Sequence, residues 1–367
     1  MTGIYIHIPF CIRKCPYCDF YSMPDNRELR EKYVTALCAN ILSYKGQHID
    51  ADTVYFGGGT PSLLEVTQIE RILSACGEAF DLHSPEITLE ANPCTLNERK
   101  LSALRHAGIN RLSIGIQSSQ DRELEFLGRL HSFSTAEQAV VTAYKTGFDN
   151  ISGDLMLGLA GQDMESLDKT LDAMTSLPLS HISAYMLKIE DGTAFDCDKV
   201  RNSVADEDTV SDMYLRTVEK LEKKGFEQYE ISNFAKDGHY SRHNLKYWKC
   251  EEYLGFGTAA HSYFNDERYF CPPDINKYVT IPVQTKIITE KSPDKAEEYI
   301  MLNLRLKWGI SLEKTSMLKD DDFCLNLRNK AAVFSQNGLC KICGDRVSLT
   351  AKGFLVSNEI IAQLLDS

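Results

Sequence analysis

The sequence predicts an α/β protein: a partial barrel of six βα units, followed by a smaller and mostly helical domain with the element order of a winged helix. Two observations carry that expectation. Short apolar runs alternate with helical patterns over the first half of the chain, and βα units in series imply a parallel sheet with right-handed crossovers. Chemically distinctive residues also recur at the ends of successive runs, where β/α barrels place their functional groups.

The elements follow in order. Ile4–Ile8 reads as the first strand, and a cysteine-rich loop follows it. Asp25 and Glu28 resemble a capping pair, and Leu29, Tyr33, Leu37 and Ile41 then recur every four residues, as one helix face requires. Gly46 is placed to stop that helix. Thr53–Phe56 is the second strand, followed by Gly57-Gly58-Gly59-Thr60-Pro61 and a helix from about Glu65 to Phe80. Further strands are expected at Glu86–Ala91, Arg111–Gln117, Ile151–Leu157 and His181–Ile189, separated by helical patterns. Glu90 ends the third strand, Gln117 ends the fourth, and Asp154 lies within the fifth.

Beyond Asp191 the alternation weakens. A helix from about Asp206 to Lys224 is followed by an aromatic-rich segment containing Tyr229, Phe234, Tyr240, Tyr247, Trp248 and Tyr253. The chain changes character near Cys271-Pro272-Pro273, so the expected division is a barrel with its extension over 1–270 and a C-terminal domain over 271–367. That domain reads as helix, short helix, helix, a hairpin near Leu339–Leu349 and a final helix. The order suits a winged helix, but Asp320-Asp321-Asp322 at the start of its third helix would repel phosphate, so the domain is expected to cover the barrel's open side.

The 367 residues are 43% hydrophobic and 25% charged, as in an ordinary globular protein, with a formal charge of −12. An acidic chain is a poor match for nucleic acid. No apolar run approaches the roughly 18 residues that span a bilayer, and no signal peptide is evident. The twelve scattered cysteines then point to the reducing cytoplasm and to packing roles for most of them. Cys340 and Cys343 have a zinc-type spacing without a second pair nearby, and are read as part of a hairpin turn.

Cys11, Cys15 and Cys18 are different. The spacing C-x3-C-x2-C supplies three thiolates and no evident fourth, whereas iron–sulfur clusters usually have four. Three ligands would leave one iron open to another molecule, as in catalytic metal sites. A zinc site with His7 as fourth ligand, or simple packing, are the other readings of this window. The run from Ile4 to Phe20, with Tyr17 before the third cysteine, resembles the cluster loop of the radical S-adenosylmethionine (SAM) superfamily. Its longer form is similar to the subfamily of oxygen-independent coproporphyrinogen III oxidases and HemW-type heme chaperones. The resemblance extends through Tyr229–Phe234, Tyr253–Ser262 and Leu349–Ser357; Ala160 departs from it, standing where the family usually has proline.

The resemblance implies a [4Fe-4S] cluster on Cys11, Cys15 and Cys18, and SAM contacts from Tyr5, Gly58, Gly59, Thr60, Glu90, Gln117, Arg129 and Asp154. The chemistry is compatible: glycines admit close backbone approach, carboxylates accept from ribose hydroxyls, and arginine can pair with a carboxylate. Two features separate the relatives. The oxidases carry a cysteine two residues past the third ligand, where this chain has Phe20, and they have an extension before the first strand. His243-Asn-Leu-Lys-Tyr-Trp248 matches the H-N-x-x-Y-W motif of the chaperones, which implies a heme site on His243, Tyr247 and Trp248; His261 is a second candidate ligand. The resulting expectation is a cytoplasmic heme carrier that passes heme to acceptor apoproteins, respiratory ones among them, with room for peripheral membrane contact. The alternatives are a coproporphyrinogen III oxidase and a zinc-bearing scaffold.

Overall fold

The computed structural model describes residues 1–280 and 286–366. Six parallel strands form its centre: β1 (Thr2–Ile8), β2 (Asp50–Gly58), β3 (Asp81–Ala91), β4 (Arg111–Gln117), β5 (Ile151–Leu157) and β6 (His181–Met186). Each pairs in parallel with the next, so their C-terminal ends share one rim. All six lie where the sequence places them. The apolar residues on the outer face, such as Ile4, Ile6, Val54, Phe56 and Leu89, pack under the helices, and burial of each such side chain contributes roughly 1.5–3 kcal/mol. The alternating residues face a polar lumen: Tyr5 and His7 on β1, Thr53 and Tyr55 on β2, Ser113 on β4, Asp154 on β5.

The sheet continues past the six strands at both edges. β7 (Glu227–Gln228) and β8 (Asn233–Ala235) add antiparallel to β6. β9 (Tyr253–Phe256) adds parallel to β1, and β10 (His261–Phe264), β11 (Glu267–Phe270) and β12 (Ile287–Lys291) follow antiparallel. The order is β12-β11-β10-β9-β1-β2-β3-β4-β5-β6-β8-β7, twelve strands among the described residues. The expected division at residue 271 therefore cuts through a sheet: β12 lies beyond it, yet is tied by backbone hydrogen bonds to β11.

The helix α1 (Arg27–Leu42) is capped by Asn26, whose side chain accepts from the Leu29 amide at 2.9 Å. Asp25, the expected cap, instead binds the Arg30 guanidinium at 2.7 Å. α2 (Val66–Ala79) begins with a capping box of Glu65 and Gln68. α3 (Arg242–Trp248) carries the H-N-x-x-Y-W motif and is capped by Ser241.

From Lys295 the chain has the expected order: helix Lys295–Asn303, strand Ile310–Ser311, helices Leu312–Leu318 and Asp321–Gln336, hairpin, and final helices. Asp320 caps the third of these helices by accepting from the Phe323 amide, and the following acids favour the positive end of its dipole. Cys340 and Cys343 lie in the hairpin strand Cys340–Cys343, not in its turn. Spacing of three in a strand puts them on opposite faces, one buried and one exposed, so they form no pair. The domain packs against α3, where Asn303 donates to the Trp248 carbonyl, and bridges Leu306 to Glu230.

Candidate cofactor site at the barrel mouth

A cavity of about 410 Å³ opens at the C-terminal rim of the parallel strands. Its walls hold Cys11, Cys15, Cys18, Gly58, Gly59, Thr60, Glu90, Gln117, Arg129 and Asp154 together. These side chains come from residues up to 143 positions apart, numbers 11 to 154, and meet because each ends or follows a parallel strand or, for Asp154, points into the lumen from within one.

The cysteine loop is anchored at its edges: Phe10–Cys11 pairs with Met23–Pro24, and the Cys18 amide bonds the Cys15 carbonyl at 3.1 Å. Thr60 Oγ1 donates to Cys11 Sγ at 3.4 Å, and an Arg129 guanidinium nitrogen lies 3.7 Å from Cys15 Sγ. Burial raises the Cys11 thiol pKa, while Thr60, Ser22 and Arg129 oppose that shift. This is the environment a metal-bound thiolate needs: a hydroxyl donor and a nearby cation. Arg129 also donates to the Gly115 carbonyl at 2.9 Å, while its buried Nε has no protein partner, and no carboxylate pairs with it among the described residues.

Gly58 and Gly59 form the tight turn out of β2. Gly58 has φ of 108°, and a Cβ there would sit 2.5 Å from the His7 ring; one on Gly59 would press on the Ile8 and Phe10 carbonyls. The Glu90 carboxylate accepts from Tyr55 Oη at 2.8 Å and from the Gly58 amide at 3.2 Å. Burial raises its pKa to about 7 against those two hydrogen bonds, with Asp154 adding a further upward push. Asp154 accepts from Ser113 Oγ at 3.2 Å, and burial lifts it to about 6. Two carboxyl groups thus share the cavity near neutrality and can accept from a bound ligand's hydroxyls without a fixed double charge. Gln117 ends β4 at φ of 73°, a conformation costing a non-glycine residue about 1 kcal/mol or more, beside a register shift that turns its amide toward the cavity.

Two expected positions behave differently. Tyr5 does not line the cavity; it lies a layer deeper, with its hydroxyl 3.1 Å from His7 Nδ1 and its ring stacked on Tyr55 and His243. The expected heme ligand His243 is 1% exposed. It closes the N-terminal end of the lumen, with Nδ1 2.7 Å from Thr53 Oγ1 and Nε2 2.8 Å from Tyr247 Oη. Burial drives its pKa down to about 3. Tyr247 is therefore occupied by His243, and Trp248 packs in the cluster around Tyr229 and Leu245. In this arrangement the motif is a plug, and neither imidazole nitrogen is presented to a ligand. His7 likewise has both nitrogens bonded, to Tyr5 and to the Tyr21 carbonyl, so it does not complete a Cys3His zinc site. Among the described residues no three His, Cys, Asp or Glu side chains are gathered to hold a single metal ion.

Sequence reasoning missed Tyr55, Ser113, Met156 and Tyr185, all in the cavity wall. Strand alternation could have found them. Tyr55 precedes Gly57 by two, Ser113 and Gly115 precede Gln117 by four and two, and Met156 follows Asp154 by two.

A mixed barrel with three cysteines, a glycine turn and polar strand ends around one cavity defines a radical SAM-type protein. The Radical SAM superfamily model matches residues 5–174, and the HemN C-terminal domain model matches residues 291–356. The E. coli coproporphyrinogen III oxidase HemN, a radical SAM enzyme, has the same fold, with a TM-score of 0.82 at 20% identity over 99% of this chain and 89% of that one. Heme chaperone HemW of Bacillus subtilis is 35% identical over 100% of this chain and 99% of its own length. Heme chaperone HemW of Lactococcus lactis is 33% identical over 99% and 97%. The chain belongs to the HemW family of the radical SAM superfamily.

The residues present fit the cofactors that the fold implies. Cys11, Cys15 and Cys18 would hold a cluster, which when bound supplies the electron and the open iron for SAM. Gly58, Gly59, Thr60, Glu90, Gln117, Arg129 and Asp154 would bind and orient SAM, with Arg129 offering charge to its carboxylate and Glu90 accepting from its ribose. No helix among the described residues is long and apolar enough to cross a membrane.

Proposed function

We propose that this protein binds a [4Fe-4S] cluster, SAM and heme, and transfers the heme to acceptor apoproteins, including those of respiratory enzymes. The observation that carries the reading is the similarity, over nearly the entire chain, to relatives named heme chaperone. Phe20 supports it: the position that carries a cysteine in the oxidases holds an apolar ring here, 65% exposed at the cavity wall. The cofactor cavity serves a regulatory purpose in this proposal, with SAM and the cluster setting the conformation of the loops around the barrel mouth. The second reading, oxidative decarboxylation of a porphyrinogen propionate, uses the same cavity.

One experiment separates them. Reconstituted, reduced protein is incubated anaerobically with SAM and coproporphyrinogen III, and the products are resolved by chromatography. The chaperone reading predicts no vinyl-bearing porphyrin above background, alongside stoichiometric heme binding by the same preparation. Vinyl-bearing product at repeated turnover would replace it with the oxidase reading.

A further inference from the structure

We infer that Tyr55 couples the mouth cavity to the heme motif: it joins Glu90 to His243, so that SAM at the one and heme at the other oppose each other's binding. The inference rests on the heme-binding reading above and names the device that regulates that site.

The contacts are continuous along the lumen. A second cavity, of about 290 Å³, lies beneath α3 at the N-terminal end, with Tyr247, Cys250, Tyr253, Tyr263 and Arg268 in its wall. Tyr247 of the motif faces this cavity, as Tyr55 and Glu90 face the one at the mouth. Between the two, Tyr55 Oη donates to Glu90 at 2.8 Å, and the Tyr55 ring stacks on His243 at 5.1 Å with 24° between their planes. His243 Nε2 then lies 2.8 Å from Tyr247 Oη. Tyr5 stacks beside both inner rings, 6.2 Å from Tyr55 and 6.3 Å from His243. The layer has no slack. A Cβ on Gly57 would lie 2.9 Å from Tyr5, 3.1 Å from Tyr55 and 3.2 Å from Glu90, so only glycine fits there. Rings packed this closely exchange one arrangement for another and do not yield by degrees.

The sign follows from what each ligand asks of this layer. A nitrogen of His243 becomes free for iron only when the ring leaves Thr53 or Tyr247. Its departure removes the surface on which Tyr55 rests, and Tyr55 is a donor that fixes Glu90. Glu90 must be held in place to accept from a ribose at the mouth. A cationic ligand such as a sulfonium also favours the ionised carboxylate, and a charged acceptor strengthens the bond from Tyr55. SAM thus selects the closed layer and heme the open one, and each lowers the other's affinity by the same factor. In a heme-loaded chain, arrival of SAM loosens the heme for handover.

The test uses the full chain, reconstituted, as wild type and Tyr55→Phe. Ferric heme binding is measured by Soret titration with and without saturating SAM, and SAM binding by equilibrium dialysis with and without heme. In wild type each ligand should weaken the other at least about fivefold, by equal factors. Tyr55→Phe keeps a ring on His243 but loses the bond to Glu90, so its linkage factor should fall to near one, whatever its affinity for either ligand alone. A second readout needs no heme: SAM should slow hydrogen exchange of the α3 amides in wild type at least about threefold, and should leave them unchanged in Tyr55→Phe. Independent or mutually tighter binding in wild type would overturn the coupling. A linkage that persists in folded Tyr55→Phe would overturn it too, since it marks direct competition for one cavity. Failure of wild type to bind heme would instead overturn the functional reading; the exchange of α3 then still decides the coupling, and rates indifferent to SAM would end it.

Discussion

His243→Ala should damage the fold before it touches any ligand. In the wild type the imidazole is buried between Thr53 Oγ1, at 2.7 Å, and Tyr247 Oη, at 2.8 Å, and stacks against Tyr55 at 5.1 Å. Removing it leaves the fully buried Thr53 hydroxyl without its ring partner, and a buried polar group so orphaned costs about 1–3 kcal/mol. The cavity left by the ring adds a packing loss, so the total is about 3–5 kcal/mol. At roughly 2 °C per kcal/mol for a large chain, the melting temperature should fall by about 6–10 °C.

The pH dependence supplies a sharper signature of the same contact. His243 is neutral in the fold, with its pKa lowered from 6.5 to about 3 by burial first, and by Lys246 next. The unfolded chain takes up a proton as pH falls below 6.5 while the folded chain does not. The stabilisation from the neutral ring is therefore full above 6.5 and is lost toward pH 3, at about 1.4 kcal/mol per unit within that window. Between pH 7 and pH 5 this amounts to about 2 kcal/mol that the alanine variant should not lose. Urea unfolding at both pH values, read by fluorescence and circular dichroism, measures it. A variant that is as stable as wild type at pH 7, with the same pH slope, would refute the plug.

Other outcomes follow from the cavity. Replacing Cys11, Cys15 or Cys18 by Ser should reduce iron after anaerobic reconstitution from about four per chain to near zero, whereas Cys343→Ser should leave it unchanged; stoichiometric zinc in wild type would contradict the cluster. Gly58→Ala should destabilise the chain by about 2 kcal/mol or more and abolish SAM binding in equilibrium dialysis, because φ of 108° and the His7 ring both exclude a methyl group. Glu90→Gln should keep the fold but weaken SAM binding at least tenfold. Glu90 has a raised folded pKa, so its proton-linked stabilisation is full below its ordinary value of 4.5 and is lost as pH rises through about 7; the glutamine variant should be less sensitive to pH between 5 and 7 in chemical denaturation.

The sequence made the barrel legible because period-two apolar strands and helix-period faces differ plainly, and each of the six strands was bracketed by its own turn signals. The rim residues were legible for a related reason: a parallel layout brings strand ends together whatever their distance in sequence. What differed depended on partners, near or far in sequence, that periodicity does not name. Asp25 was a plausible cap until Arg30 bound it and Asn26 took its place. The residue 271 boundary followed a proline pair, but β12 returns to the main sheet through backbone pairing that side-chain pattern does not encode. Tyr5 shares the lumen with the cavity residues yet sits below them, a depth set by register. His243 carries a recognisable motif, but its two hydrogen bonds come from a strand 190 residues away and from the next helical turn, and they close the site that the motif alone suggests.

Heme transfer tests the account most directly. Purified protein loaded with one equivalent of ferric heme is mixed with an apo heme protein of the respiratory type, and the Soret band is followed by stopped flow. A chaperone predicts handover to the acceptor with a rate that rises with acceptor concentration, and faster than escape to a heme-scavenging globin. A rate independent of acceptor and equal to simple dissociation would contradict it.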